Sequence, residues 1–128
     1  MKSISSNPFL PGIAWFFVVL ILICLPGNDI PHVDDWFKKI YFDKMVHAVM
    51  FGLMAFLFMK PVARFSISHR KKWHYFIAIT LAICVWGLVT EFIQKYLIPG
   101  RTFDLNDWAA DSAGAIITML FSKRYFLK

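Results

Sequence analysis

Four apolar runs, each close to the length of a helix that crosses a bilayer, divide a chain of only 128 residues. A hydrocarbon core of ~30 Å needs ~20 helical residues, and the runs cover about 9–25, 45–62, 75–96 and 105–121. Each run is continuous, without the period-two alternation of a barrel strand, so a transmembrane β-barrel is excluded. Hydrophobic residues make up 59% of the chain and charged residues 17%. A domain of this size cannot enclose that many apolar side chains behind a polar surface, so lipid has to cover part of it. Disorder needs the opposite composition. The expectation is one all-α domain over residues 1–128, a polytopic membrane protein built as a four-transmembrane-helix bundle.

The first run follows Lys2, as a signal peptide would. The residues after it, Leu25-Pro26-Gly27-Asn28, lack a small-residue cleavage pattern, so the run is expected to stay as an uncleaved helix. Cys24 and Cys84 lie inside apolar runs with no metal-type spacing and read as small hydrophobes.

The charges sort by side. Lys2, Lys60, Arg64, Arg70, Lys71, Lys72, Lys123, Arg124 and Lys128 fall on one side of the four spans, and all eight acids fall on the other. By the positive-inside rule both termini and the 64–74 link face the cytoplasm, and the segments 27–43 and 97–106 face outward. The net charge of +6 is therefore a topology signal, and a nucleic-acid partner is not expected. Trp36, Tyr41, Tyr96 and Trp108 are placed to anchor the outer interface, and Trp73, Tyr75 and Tyr125 the inner one. Helical spacing at Trp36, Phe37, Ile40 and Tyr41 predicts a short interfacial helix over about 34–42.

Ionisable residues inside apolar spans carry the functional signal, because intramembrane charge is costly and normally faces protein or a wet cavity. Asp43 and His47 share a face of the second span, Glu91 and Gln94 a face of the third, and Asp107 and Asp111 a face of the fourth. Small residues on the second and fourth spans (Gly52, Ala55, Ala109, Ala113, Gly114) allow close packing, so the seams are expected to converge. The turn Pro99-Gly100-Arg101 brings an arginine to the same end. The predicted result is an outward pocket holding Asp43, His47, Glu91, Gln94, Arg101, Asp107 and Asp111. Simpler roles compete for some neighbours. Asp104 is placed as the N-cap of the fourth helix, Glu91 and Lys95 have the spacing of a helix-surface ion pair, and Lys44 reads as an interfacial snorkeller.

The runs Asp43-Lys44-Met45-Val46-His47, Glu91-Phe92-Ile93-Gln94, Pro99-Gly100-Arg101-Thr102-Phe103-Asp104-Leu105-Asn106-Asp107 and Asp111-Ser112-Ala113-Gly114-Ala115 occur in that order. Together they resemble the VanZ-like family of small integral membrane proteins, over about residues 12–122. The resemblance implies a bacterial cell-envelope protein of the cytoplasmic membrane, with some members linked to teicoplanin (glycopeptide) resistance. It departs at Asp111, where the family pattern carries asparagine. The resemblance supplies no mechanism.

Three functions remain open on the residues. In the first, Arg101 clamps an anionic, lipid-linked ligand, with Gln94 and Asp107 lining the site. Asp43, Glu91 or Asp111 then works as general acid or base beside His47. A divalent metal ion held by His47 with Asp43, Glu91 or Asp111 fits the same cluster: imidazole with carboxylate suits Mn, Fe or Zn, and carboxylates alone suit Mg or Ca. The second is a non-catalytic protein that binds or shields a membrane lipid, a lipid-linked cell-wall precursor or a glycopeptide. The third is an assembly partner or a proton-linked transporter, weakly supported because the inner halves of the spans lack acids. The residues leave turnover and oligomeric state undetermined.

Overall fold

The computed structural model describes residues 7–25 and 36–128. Its four elements are α1 (Leu10–Ile23), α2 (Trp36–Ala63), α3 (His69–Leu97) and α4 (Leu105–Phe126). No strand occurs among the described residues, which matches the all-α expectation.

Local chemistry sets the helix ends. Pro11 sits in the first turn of α1, where its missing N–H costs nothing. Asn7 Oδ1 accepts from the Phe9 N–H at 2.9 Å. Ser68 caps α3, its hydroxyl accepting from the Lys71 N–H. Asp104 caps α4 as expected, accepting from the Asn106 N–H at 2.9 Å, and Asp107 lies in the favourable first turn. The turn between α3 and α4 needs Gly100, whose φ of 76° suits glycine.

One sequence expectation changes here, and among the described residues another is met in part. The 34–42 stretch is not a separate interfacial helix: from Trp36 onward it forms the first turns of α2, while Asp34 and Asp35 lie outside the described residues. The backbone carries on because nothing between Trp36 and Phe42 breaks a helix. Second, two helices rather than four are long and apolar enough to cross a membrane: the Phe42–Ala63 part of α2, and α3. With 14 residues, α1 measures about 21 Å. α4 has the length but carries Asp107 and Asp111 near one end and Lys123 and Arg124 at the other.

α2 and α4 make the largest helix–helix contact, and small residues make it close. A Cβ built on Gly114 would meet the Ala48 carbonyl carbon at 2.9 Å and its Cα at 3.0 Å. One built on Gly52 would meet Thr118 Oγ1 at 3.1 Å. Such backbone approach is how helices associate where lipid removes the usual hydrophobic drive. An open apolar groove of about 490 Å³ runs over this seam, between Met45 and Phe121.

α1 is tied to the other helices along its length. Trp15 Nε1 donates to the Met50 carbonyl at 2.9 Å. Phe16 packs on Trp86 of α3 with ring centroids 4.8 Å apart. Near the C-terminal end of α1, Gln94 Nε2 donates to the Ile23 carbonyl and Arg101 Nε to the Leu25 carbonyl, both at 3.2 Å. Trp108 Nε1 donates to the Cys84 carbonyl at 2.9 Å, joining α4 to α3. Cys24 and Cys84 are both free thiols.

Beside an apolar core that includes Phe51, Met54 and Phe76, large apolar side chains lie exposed and carboxylates lie buried. Ile21, Val85 and Ile117 are each more than 60% exposed, while Glu91 and Asp111 are 0% exposed. Apolar side chains outward and carboxylates inward fit a chain solvated by lipid.

Candidate functional site

Helix polarity brings the four helices together at one end. The C-terminal ends of α1 and α3 meet the N-terminal end of α4, as the bonds from Gln94 and Arg101 to α1 and from the Asp104 N–H to Glu91 require, and Lys44 in the first half of α2 reaches the same end. Residues four apart on α2 and on α4 then face one another. His47 Nδ1 lies 2.8 Å from Asp111 Oδ1. Either the ring N–H or a protonated carboxyl can donate in this pair, according to which of the two carries the proton. Nε2, the other ring nitrogen, sits 3.7 Å from Asp107 Oδ2. The third contributor is Glu91 of α3, whose Oε2 accepts from the Asp104 N–H at 3.1 Å and holds the start of α4.

Above this pair lies a layer of ion pairs centred on Lys44. Its ammonium reaches Asp104 Oδ2 at 2.8 Å and Asp43 Oδ2 at 3.7 Å, and it bonds Asp107 Oδ1. Side-chain exposure falls from 39% at Asp104 and 22% at Lys44 to 7% at His47 and 0% at Asp111, which fixes the direction from surface to interior. Partial burial pushes the Asp104 carboxyl up. Lys44 and the Asn106 N–H push it down by more, leaving it below its ordinary value.

Two buried carboxylate oxygens have no partner: Glu91 Oε1 and Asp111 Oδ2. The space beside Asp111 is kept by Gly87, where a Cβ would meet Asp111 Oδ2 at 3.2 Å. His47, Glu91 and Asp111 each offer a ligand atom within 4.8 Å of the others, and so do Asp43, His47 and Asp107. Either set has the donor chemistry of a divalent cation site. The His47–Asp111 pair also has the geometry of an oriented imidazole able to carry a proton.

The seven residues predicted to share a pocket divide into two groups. His47, Glu91, Asp107 and Asp111 come together with Asp43 at their edge, in a closed cluster rather than an open pocket. Gln94 and Arg101 are instead bonded to carbonyls at the end of α1, and Arg101 makes no ion pair with any of these carboxylates. Lys44 and Asp104 are the additions that the sequence reading missed as site members. The sequence predicts a snorkeller at Lys44, and Asp43 beside it is the local sign of an acidic partner. Glu91 and Lys95 do not pair: Lys95 Nζ lies 5.1 Å from the Tyr96 ring centroid.

Comparison with curated proteins and with solved structures gave no match. A family model described as VanZ/LLP1 matches residues 9–127, which takes in all four helices and every member of the cluster. The chain belongs to the VanZ/LLP1 family.

Proposed function

We infer that this VanZ/LLP1 member is a four-span protein of the bacterial cytoplasmic membrane. Both termini face the cytoplasm, and the His47–Glu91–Asp111 cluster lies at the outer face. In this reading it acts in the cell envelope's response to glycopeptides such as teicoplanin. Its cluster engages an anionic group on a membrane lipid, a lipid-linked cell-wall precursor or the glycopeptide.

Support for the topology comes from charge. Lys60, Arg64, Arg70, Lys71 and Lys72 lie around the α2–α3 link, and Lys123 and Arg124 end α4, at the end opposite the carboxylates. Support for four spans comes from packing, since α1 and α4 are bonded to the two longer apolar helices at both the middle and the carboxylate end. The observation that carries the functional reading is the burial of His47, Glu91 and Asp111 together among three helices. Apolar residues of similar volume would hold such a bundle together as well or better, so an acid–imidazole cluster kept there points to function.

The test is glycopeptide susceptibility in a sensitive host expressing the chain. The wild type is expected to raise the inhibitory concentration of teicoplanin. His47→Ala and Glu91→Gln are expected to return it to the level of empty vector at equal membrane abundance. Lys95→Ala, an exposed change away from the cluster, is expected to behave as wild type. Equal protection by wild type and both cluster variants, or none from any of them, would contradict the reading.

A further inference from the structure

We propose that His47, Glu91 and Asp111 form a binding site for one divalent transition-metal cation of the zinc or manganese class. This rests on the reading above that the cluster is the working part of the protein, and it names the ligand. The three residues come from α2, α3 and α4, all three are buried, and their donor atoms lie within 4.8 Å of one another. The second observation is independent of that clustering. Glu91 Oε1 and Asp111 Oδ2 are fully enclosed and accept no hydrogen bond, although the opposite oxygen of each carboxylate is satisfied. Buried oxygens without donors are rare and need a cation or a proton to offset their desolvation.

Donor chemistry selects the class. One imidazole with two carboxylates suits zinc, manganese or iron, whereas magnesium and calcium favour all-oxygen sites with several waters. The outer contacts are also of the kind that orient metal ligands, since the Asp104 N–H fixes Glu91 and Gly87 leaves room beside Asp111. Such a cation would answer a difficulty of the site. Among the described residues Lys44 is the lysine or arginine bonded into the cluster, and it is already shared by Asp43, Asp104 and Asp107. An anionic ligand meets a mostly acidic surface unless a metal ion supplies positive charge. Two carboxylates would neutralise the charge of a divalent ion.

The experiment uses the full-length protein in detergent, stripped with chelator and then equilibrated separately with Zn²⁺ and Mn²⁺. Bound metal per chain is measured by elemental analysis, and affinity by calorimetry. The proposal expects one ion per chain. Glu91→Gln and Asp111→Asn should each weaken binding by at least roughly 10–100-fold, since losing even a residue that only orients a ligand costs that much. Asp43→Asn should leave binding within about two-fold, because it belongs only to the other acidic group. Size-exclusion profiles and a metal-induced rise in melting temperature, present in the wild type and absent in the variants, separate lost ligation from lost folding. Absence of stoichiometric metal in the wild type would overturn the proposal. So would binding abolished by Asp43→Asn but untouched by Glu91→Gln. Either result leaves the glycopeptide reading standing if the susceptibility effect persists. Metal bound by a protein with no such effect would instead contradict the functional reading alone.

Discussion

Replacing Gly114 by leucine is expected to drive α2 and α4 apart and to remove most folded protein from the membrane. A Cβ at this position has no room, because it would meet backbone atoms of Ala48, including the carbonyl carbon at 2.9 Å. Backbone cannot rotate out of the way as a side chain can. Overpacking in a tight core costs ~1–3 kcal/mol where neighbours can yield, and a whole isobutyl group against a rigid helix should exceed that range. The damage would also reach the cluster, since Asp111 lies one turn before Gly114 and His47 lies next to Ala48. Gly12→Ala provides the contrast. Its Cβ would meet only the ring of Phe58, at 3.2 Å, and that ring can shift. Fluorescence-detected size-exclusion in mild detergent should show a monodisperse peak for the wild type and Gly12→Ala, and a lost or aggregated peak for Gly114→Leu. A wild-type profile for Gly114→Leu would mean that the close α2–α4 seam is not as described.

Replacing Lys44 by methionine is expected to destabilise the same end of the molecule by electrostatics rather than by packing. The ammonium is bonded to both Asp104 and Asp107, which cap and open α4. Without it two carboxylates face one another at a half-buried site. Exposed ion pairs are worth ~0–1 kcal/mol, and breaking buried ones costs ~3–5 kcal/mol. With the lysine side chain 22% exposed and Asp107 12% exposed, about 1–3 kcal/mol is the expected loss. Pairing the change with Asp107→Asn should recover most of it, because the repulsion is then removed with the attraction. Thermal melting of the two single variants and the double variant completes the cycle. Additive losses would show that Lys44 and Asp107 do not interact.

Most of the fold was legible because its determinants are local. Apolar runs, the Asp104 cap and the Pro99-Gly100 turn all sit within a few residues of the structure they specify. Helix starts were less so. The expected second and third spans began at about 45 and 75, whereas the helices begin at Trp36 and His69. Hydropathy reports which part of a helix meets lipid, and the backbone helix continues through charged residues such as Lys38, Lys39, Lys71 and Lys72. The convergence of His47, Glu91 and Asp111 could be reasoned from spacing, since one polar seam per helix has to find a polar neighbour. The partners of Gln94, Arg101 and Trp108 could not, because each donates to a backbone carbonyl. A carbonyl is present at every residue and leaves no mark in a sequence. Lys44 was misread for a related reason: the residues it holds lie about sixty positions away, and only the packing of α2 on α4 brings them within reach.

The account stands or falls on the acid–imidazole end of the bundle facing outward across a membrane. The direct measurement is labelling of intact cells with a membrane-impermeant maleimide, in a background where Cys24 and Cys84 are replaced by serine. Thr102→Cys lies in the exposed turn at the carboxylate end, and Arg70→Cys lies exposed at the basic end. Thr102→Cys should label in intact cells, and Arg70→Cys only after permeabilisation. The reverse pattern would place the cluster in the cytoplasm, and labelling of both in intact cells would contradict the membrane topology altogether.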